Sequence, residues 1–137
     1  MNTTNFYDEI FRQTDTYKNF ISQNTGTGIL NIRAYAANSA IPISGLNVVV
    51  SKILDNTKVI FFEGATDSSG IIREISLPTP TIASNDLEVP ASQIYDIEAT
   101  YNNQKLTYKT NMYSGIQVLQ NINVVPEIRL DGNVYGS

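Results

Sequence analysis

Asp96 and Glu98 stand two residues apart in the run Tyr95-Asp96-Ile97-Glu98-Ala99, a spacing that puts two carboxylates on one face of a strand. Paired acids can carry general acid-base chemistry, glycoside hydrolysis above all, when a cleft drives their pKa values apart. The neighbouring residues supply no such cleft, and the plainer reading is a solvated outer face. Asp86 and Glu88, in a proline-bracketed stretch, could touch calcium, but the dense Asp, Asn and Gly spacing of a calcium loop is missing. Leu77-Pro78-Thr79-Pro80-Thr81 has the outline of a sortase signal; it is internal, lacks the following glycine, and has no apolar tail with a basic end behind it. Eight tyrosines could stack on sugar rings. Parity turns Tyr95, Tyr101 and Tyr108 toward the core and leaves Tyr35 and Tyr113 as the better exposed candidates.

The chain has no cysteine, histidine or tryptophan. That removes disulfides, thiolate nucleophiles, Cys/His zinc sites and imidazole acid-base chemistry together. No catalytic residue, cofactor site or metal site is therefore expected. A net charge of −4, with only nine Lys and Arg scattered along 137 residues, offers no basic stripe to follow phosphates, so nucleic acid is not an expected partner. The opening MNTTNFYDEIFRQ lacks a basic region followed by an apolar one, and nowhere do 18 apolar residues run together, so neither a signal peptide nor a membrane span is expected.

The elements that must hold these groups are legible in the hydrophobic period. Hydrophobic residues make up 42% and charged ones 16%, which suits a single folded domain. Phe6, Ile10, Phe11, Tyr17, Phe20 and Ile21 recur near every 3.6 residues, which predicts an amphipathic helical arm over residues 1–25 that stops in Asn24-Thr25-Gly26-Thr27-Gly28. It could pack on its own domain, dock a partner, or fray. From Gly28 the period becomes two, the mark of strands with one buried face. Leu30, Ile32, Ala34 and Ala36 open the series, and Leu46, Val48 and Val50 follow. Val59, Ile60, Phe61 and Phe62 form a continuous apolar run that suggests a strand buried on both sides. The turn Thr66-Asp67-Ser68-Ser69-Gly70 leads into a strand from Ile71 to Leu77, and prolines 78, 80 and 90 bracket a loop. Asn102-Asn103-Gln104 joins two strands as an antiparallel hairpin, and Ile116, Val118, Ile122 and Val124 make a last strand closed by Pro126. Seven short strands at this spacing predict a mainly β sandwich or barrel rather than a parallel sheet, behind an N-terminal amphipathic helix. The expected division is arm 1–25, sandwich 26–127 and a C-terminal extension strand or tail 128–137.

Three segments carry a family resemblance: GILNIRAYAANSAIPISGLNVVVSK, TDSSGIIREISLPTP and YDIEATYNNQKLTYKTNMYSGIQVLQNINVVPE, together spanning about residues 28–127. They resemble transthyretin-like (prealbumin-like) sandwiches, among them carboxypeptidase regulatory-like domains and the B-type repeats of Gram-positive surface adhesins, and the resemblance implies a seven-stranded antiparallel sandwich of immunoglobulin- or transthyretin-like type. More narrowly they are similar to a module of spore-forming Firmicutes, whose ending is echoed by Ser114-Gly115, Gln117 or Gln120, and Pro126-Glu127. The Pro-Gly-Tyr turn frequent in that family is replaced by Asn102-Asn103-Gln104, and the N-terminal helix lies outside the match. Many B-type repeats form an isopeptide bond from a first-strand lysine with a buried glutamate assisting. Here that strand offers Asn31 and Arg33, and Glu98 alternates away from the apolar face.

After Pro126 the tail keeps a period of two, with Ile128, Leu130 and Val134 on one side, like a spare strand able to pair with an edge of the same or another molecule. The expected partner-binding residues are therefore Phe6, Ile10, Phe11, Tyr17, Ile21, Ile128, Leu130 and Val134. The function expected is that of a non-catalytic structural or interaction protein of the bacterial spore surface or cell envelope, engaging itself or another surface protein. The alternative is a carbohydrate- or peptidoglycan-binding accessory module. Localisation at a spore or envelope rests on the resemblance.

Overall fold

The Thr14 hydroxyl accepts a hydrogen bond from the Tyr17 amide at 3.3 Å, capping helix α1, Asp15–Gln23. The helix stops where expected: the Asn24 side chain donates to the Phe20 carbonyl at 2.7 Å, and its backbone N–H bonds Ile21. In this computed structural model the described residues are 13–37, 39–81 and 91–125, with the backbone of 127–128 and 134–135. Phe6, Ile10, Phe11, Asp86, Glu88 and Leu130, and the side chains of Ile128 and Val134, lie outside them.

Among the described residues ten strands follow: β1 Gly26–Ala36, β2 Ile41–Pro42, β3 Asn47–Leu54, β4 Thr57–Ala65, β5 Ile71–Thr79, β6 Gln93–Tyr101, β7 Gln104–Met112, β8 Gln117–Asn123, β9 Glu127–Ile128 and β10 Val134–Tyr135. The seven long ones are those the alternation marks. One sheet has β1 at its centre, with β5 and the short β2 antiparallel along one side and β8 along the other; the second runs β4-β3-β6-β7. Their inner faces close on one core in which Leu30, Ile32, Ala34, Leu46, Val48, Val50, Leu77, Tyr95, Ile97 and Ile122 are wholly buried. The hairpin turns follow from residue type. Asp55-Asn56 and Asn102-Asn103 all take positive φ, the conformation that a two-residue turn with right-handed twist demands and that Asn and Asp tolerate. In the turn before β5 the Asp67 carboxylate accepts from the Ser69 and Ile71 amides, and Gly70 sits at φ 76°.

Four expectations need correction. The sandwich is not wholly antiparallel: β8 runs parallel to β1, Ile29 beside Gln117 through Tyr35 beside Asn123. The chain crosses between sheets at residues 113–116, and alternation alone carries no strand direction. The apolar run in β4 is an edge rather than a strand buried on both faces, since only Val59 of the four is buried. A bulge explains the run: Val50 pairs with Phe62 and Ser51 with Ile60, so Phe61 is left over and turns inward with its neighbour. Pro78 belongs to β5, opposite Thr27, because an edge strand can spare the amide proline lacks. Finally, β9 and β10 pair with each other, Ile128 opposite Val134, in a hairpin instead of a single extension strand.

The described helix is packed on its own sandwich. Phe20 is 8% exposed and belongs to the core, with its ring 5.8 Å from Phe61, and Phe61 meets Tyr95 edge-on at 5.3 Å. Replacing Phe20 by alanine removes the helix's anchor; urea unfolding should show a loss of about 3 kcal/mol, the size typical of a large core truncation. Loss of less than about 0.5 kcal/mol, the scale of an ordinary surface change, would mean that the helix is not part of the cooperative unit.

Candidate functional site: the edge and outer face of the β1–β8 pair

The acids singled out by spacing do lie together on the outer face of the second sheet, where Asp96 pairs with Lys109 and Glu98 takes Lys58 at 2.7 Å and Lys105 at 3.2 Å. They border a shallow depression of about 390 Å³ that also includes Ser51, Ile53 and Thr107. Hydrogen bonds from Lys58 and then Lys105 hold the Glu98 carboxyl below its ordinary range, against a small opposing effect of burial. A carboxylate kept ionised by two ammoniums is a poor proton donor, and this face is an exposed ion-pair surface. Glu98 also points away from the core, as alternation requires, and cannot assist a buried crosslink. Among the described residues no three Asp or Glu side chains gather closely enough to hold a metal ion.

Tyr17 and Ile21, two of the expected partner-binding residues, face inward. The Tyr17 ring stacks 6.5 Å from Phe61, and Ile21 packs on the core while lining a cleft of about 420 Å³ with Asn24, Thr25, Thr27, Leu77 and Pro78.

The feature that sequence reasoning passed over is β8. The Ile116 carbonyl accepts from the Ile29 amide and the Val124 amide donates to the Tyr35 carbonyl. Since successive backbone groups of a strand point to opposite sides, the even-numbered residues of β8 bond β1 and the odd-numbered ones, Gln117, Leu119, Asn121 and Asn123, point outward. Asn123 is taken by the Tyr108 hydroxyl, with which its backbone is hydrogen-bonded. Among the described residues no strand pairs with the other three, and the Asn121 carbonyl is capped only by the Gln120 side chain at 2.9 Å.

The other edges are guarded. Strand β5 carries Arg73, Glu74 and Pro78, β4 carries Lys58 and Glu63, and β7 carries Lys105 and Lys109, the residue types that discourage strand addition. From Thr110 to Pro126 the chain has no charged residue. Three of the five large apolar side chains most exposed among the described residues, Ile116, Leu119 and Val125, belong to β8 or its flanks. The signal was present in the sequence as that uncharged run.

Beside the edge, the outward face of the β1–β8 pair carries amides, one aromatic and one guanidinium among the aliphatic Ile29 and Leu119. Asn31 accepts from the Glu74 amide at 2.9 Å and donates to Gln117 at 3.3 Å, while Arg33 lies 5.0 Å over the Tyr35 ring. Asn121 and Asn123 stand next to Arg33 and Tyr35 across the ladder.

No protein-family model matches the sequence, and no curated protein matches it. Solved structures do share its fold. The 5-hydroxyisourate hydrolase of Klebsiella pneumoniae superposes with a TM-score of 0.51 at 14% identity, covering 80% of this chain and 99% of that one. The TIE protein of Bacillus anthracis gives 0.52, also at 14% identity, over 80% of this chain; the match spans only 23% of that longer chain. Transthyretin from Sparus aurata matches more loosely, at 0.43 over 69% of this chain and 90% of that one. The chain has a transthyretin-like β-sandwich. At this identity the likeness is one of fold.

The Glu98 ion pairs give a pH test. Its folded pKa lies below the unfolded value, so its contribution to stability is complete above about pH 4.3, the ordinary glutamate value, and is lost as pH falls through the lowered folded value. Glu98→Gln should therefore flatten the acid limb of the stability curve below about pH 5, within one unit of that value, while changing it little in shape above; an acid limb identical to wild type would show the pairs to be energetically silent.

Proposed function

We propose that this chain is a non-catalytic structural or interaction protein of a bacterial spore surface or cell envelope, which associates through its β8 edge with its terminal segments as further contacts. The observation that carries the reading is the contrast between β8, uncharged and open, and three edges blocked by charge or proline. A non-catalytic role is supported by the lack of any imidazole or thiol in the chain and by the lysines that hold Glu98 ionised. The placement at a spore or envelope draws on the sequence resemblance to modules of spore-forming Firmicutes.

A second reading, a carbohydrate- or peptidoglycan-binding accessory module, is favoured by the outward face where Tyr35, Arg33, Asn31, Gln117 and Asn121 present a ring and several amide donors and acceptors. The two separate in a sedimentation assay with isolated spores, envelope fragments and purified peptidoglycan. The first reading expects the full chain to pellet with spores or envelope fragments, and Asn121→Pro, which removes an outward amide without touching the β1 ladder, to weaken retention several-fold. Retention on peptidoglycan that soluble glycan competes away and Asn121→Pro leaves intact supports the second. A chain that stays in the supernatant throughout overturns both.

A further inference from the structure

The cleft between the end of α1 and the outer side of β5 is rich in hydrogen-bond acceptors. Asn24 forms part of its wall and is only 4% exposed. The side-chain amide is fixed in orientation, because Nδ2 donates to the Phe20 carbonyl at 2.7 Å and a flip would set oxygen against oxygen. That leaves Oδ1 as a buried acceptor with no donor among the described residues. An amide oxygen hidden from bulk water costs free energy until something donates to it. We propose that this cleft binds a primary alkylammonium group, with an N–H directed at Asn24 and the aliphatic stem lying on Ile21, Leu77 and Pro78. The cleft is separate from β8, so the proposal goes beyond the association read there.

The helix end sets the preference for a cation. At Asn24 α1 presents its C-terminus, the negative end of the helix dipole, and its last turn holds no basic residue. No residue lining the cleft is charged, so the wall does not supply the cation that such an end favours. An ammonium carries three donors and no acceptor, whereas a carboxylate would meet only further oxygens at Asn24.

Strand β5 contributes the facing wall. Ser76 sits opposite Ile29, whose amide bonds Ile116 on the β8 side, so this is a non-hydrogen-bonded pair and the Ser76 backbone turns away from β1. The Ser76 carbonyl and hydroxyl add acceptors at the cleft, and Pro78, two residues on, brings no N–H. A volume of about 420 Å³ with apolar walls and a few convergent polar groups is of small-molecule scale.

Titration of the isotope-labelled full chain with n-butylammonium chloride, read by two-dimensional amide NMR at constant ionic strength, tests the assignment. The amides of Ile21, Asn24, Thr25, Gly26, Ser76 and Leu77 should shift together and saturate, while butanol and butyrate, of equal stem but without the cation, leave them in place. Gln23→Lys, at an exposed position in the last turn, supplies a cation from the chain itself and should weaken binding several-fold. Ser76→Trp should fill the cleft and abolish binding, with circular dichroism unchanged in both variants. Nα-acetyl-lysine methylamide binding as tightly as the free amine supports the site with a lysine side chain as occupant; binding several-fold weaker supports it with a free amine. The absence of saturable shifts, equal shifts from butanol or butyrate, shifts spread over the acidic surface, or binding indifferent to both variants would each overturn the proposal.

Discussion

Strand β1 is hydrogen-bonded along both of its sides, antiparallel to β5 from Gly26 to Arg33 and parallel to β8 from Ile29 to Tyr35, and the remaining architecture hangs on this double ladder. Its inward residues Leu30, Ile32, Ala34 and Ala36 are all fully buried, so they fix the inner face to which the second sheet must conform. Its outward Asn31 ties both neighbours together, accepting from Glu74 on one side and donating to Gln117 on the other. That side chain also explains a backbone oddity. Glu74 takes φ 59°, unusual for a non-glycine residue inside a strand, where the β1–β5 register slips between Leu30 and Ile32; the Asn31 carbonyl oxygen receives the amide that the slip would leave unpaired.

The alternation of side chains was enough to read which residues face the core, because one-sided burial imposes a period of two whatever the strand's direction. Tyr95, Ile97 and Ala99 inward with Asp96 and Glu98 outward is the clearest instance. Turn chemistry was legible for the same local reason at Asp67, Gly70 and Asn102-Asn103. What local pattern does not carry is pairing across the fold. The parallel direction of β8 depends on the chain crossing between sheets, the inward turn of both Phe61 and Phe62 depends on a bulge against β3, and β9 has β10 as its partner. The helix shows both sides of this limit. Its stop at Asn24 is written locally, but the packing of Phe20 on its own sheet depends on Phe61, which meets Tyr95 in turn, both more than 35 residues away in sequence.

The acids were read as a solvated outer face, as the structure has them, but the β8 edge escaped the sequence reading for a related reason. Acids attract attention because few side chains can do proton chemistry, yet their behaviour is set by neighbours that the ladder supplies, and here β7 brings Lys105 and Lys109 and β4 brings Lys58 to them. The proposed working surface instead is defined by what it lacks. An uncharged stretch of Gln, Asn, Val, Ile and Leu reads as an ordinary strand until the topology, among the described residues, leaves one side of it without a partner strand.

That open edge is thermodynamically inexpensive for the isolated chain. Water satisfies the outward groups of Gln117, Leu119 and Asn121, and a hydrogen bond moved from water to protein gains only about 1 kcal/mol. Covering Leu119 adds at most about 2 kcal/mol, the value for burying a whole aliphatic side chain. Against these stands the loss of translational and rotational freedom on association, of the order of 4 kcal/mol or more. The balance is modest, so association through this edge alone is governed by concentration. A crowded surface, where neighbouring copies or partners are held close, supplies that concentration by geometry, and the edge then needs no additional affinity to be occupied.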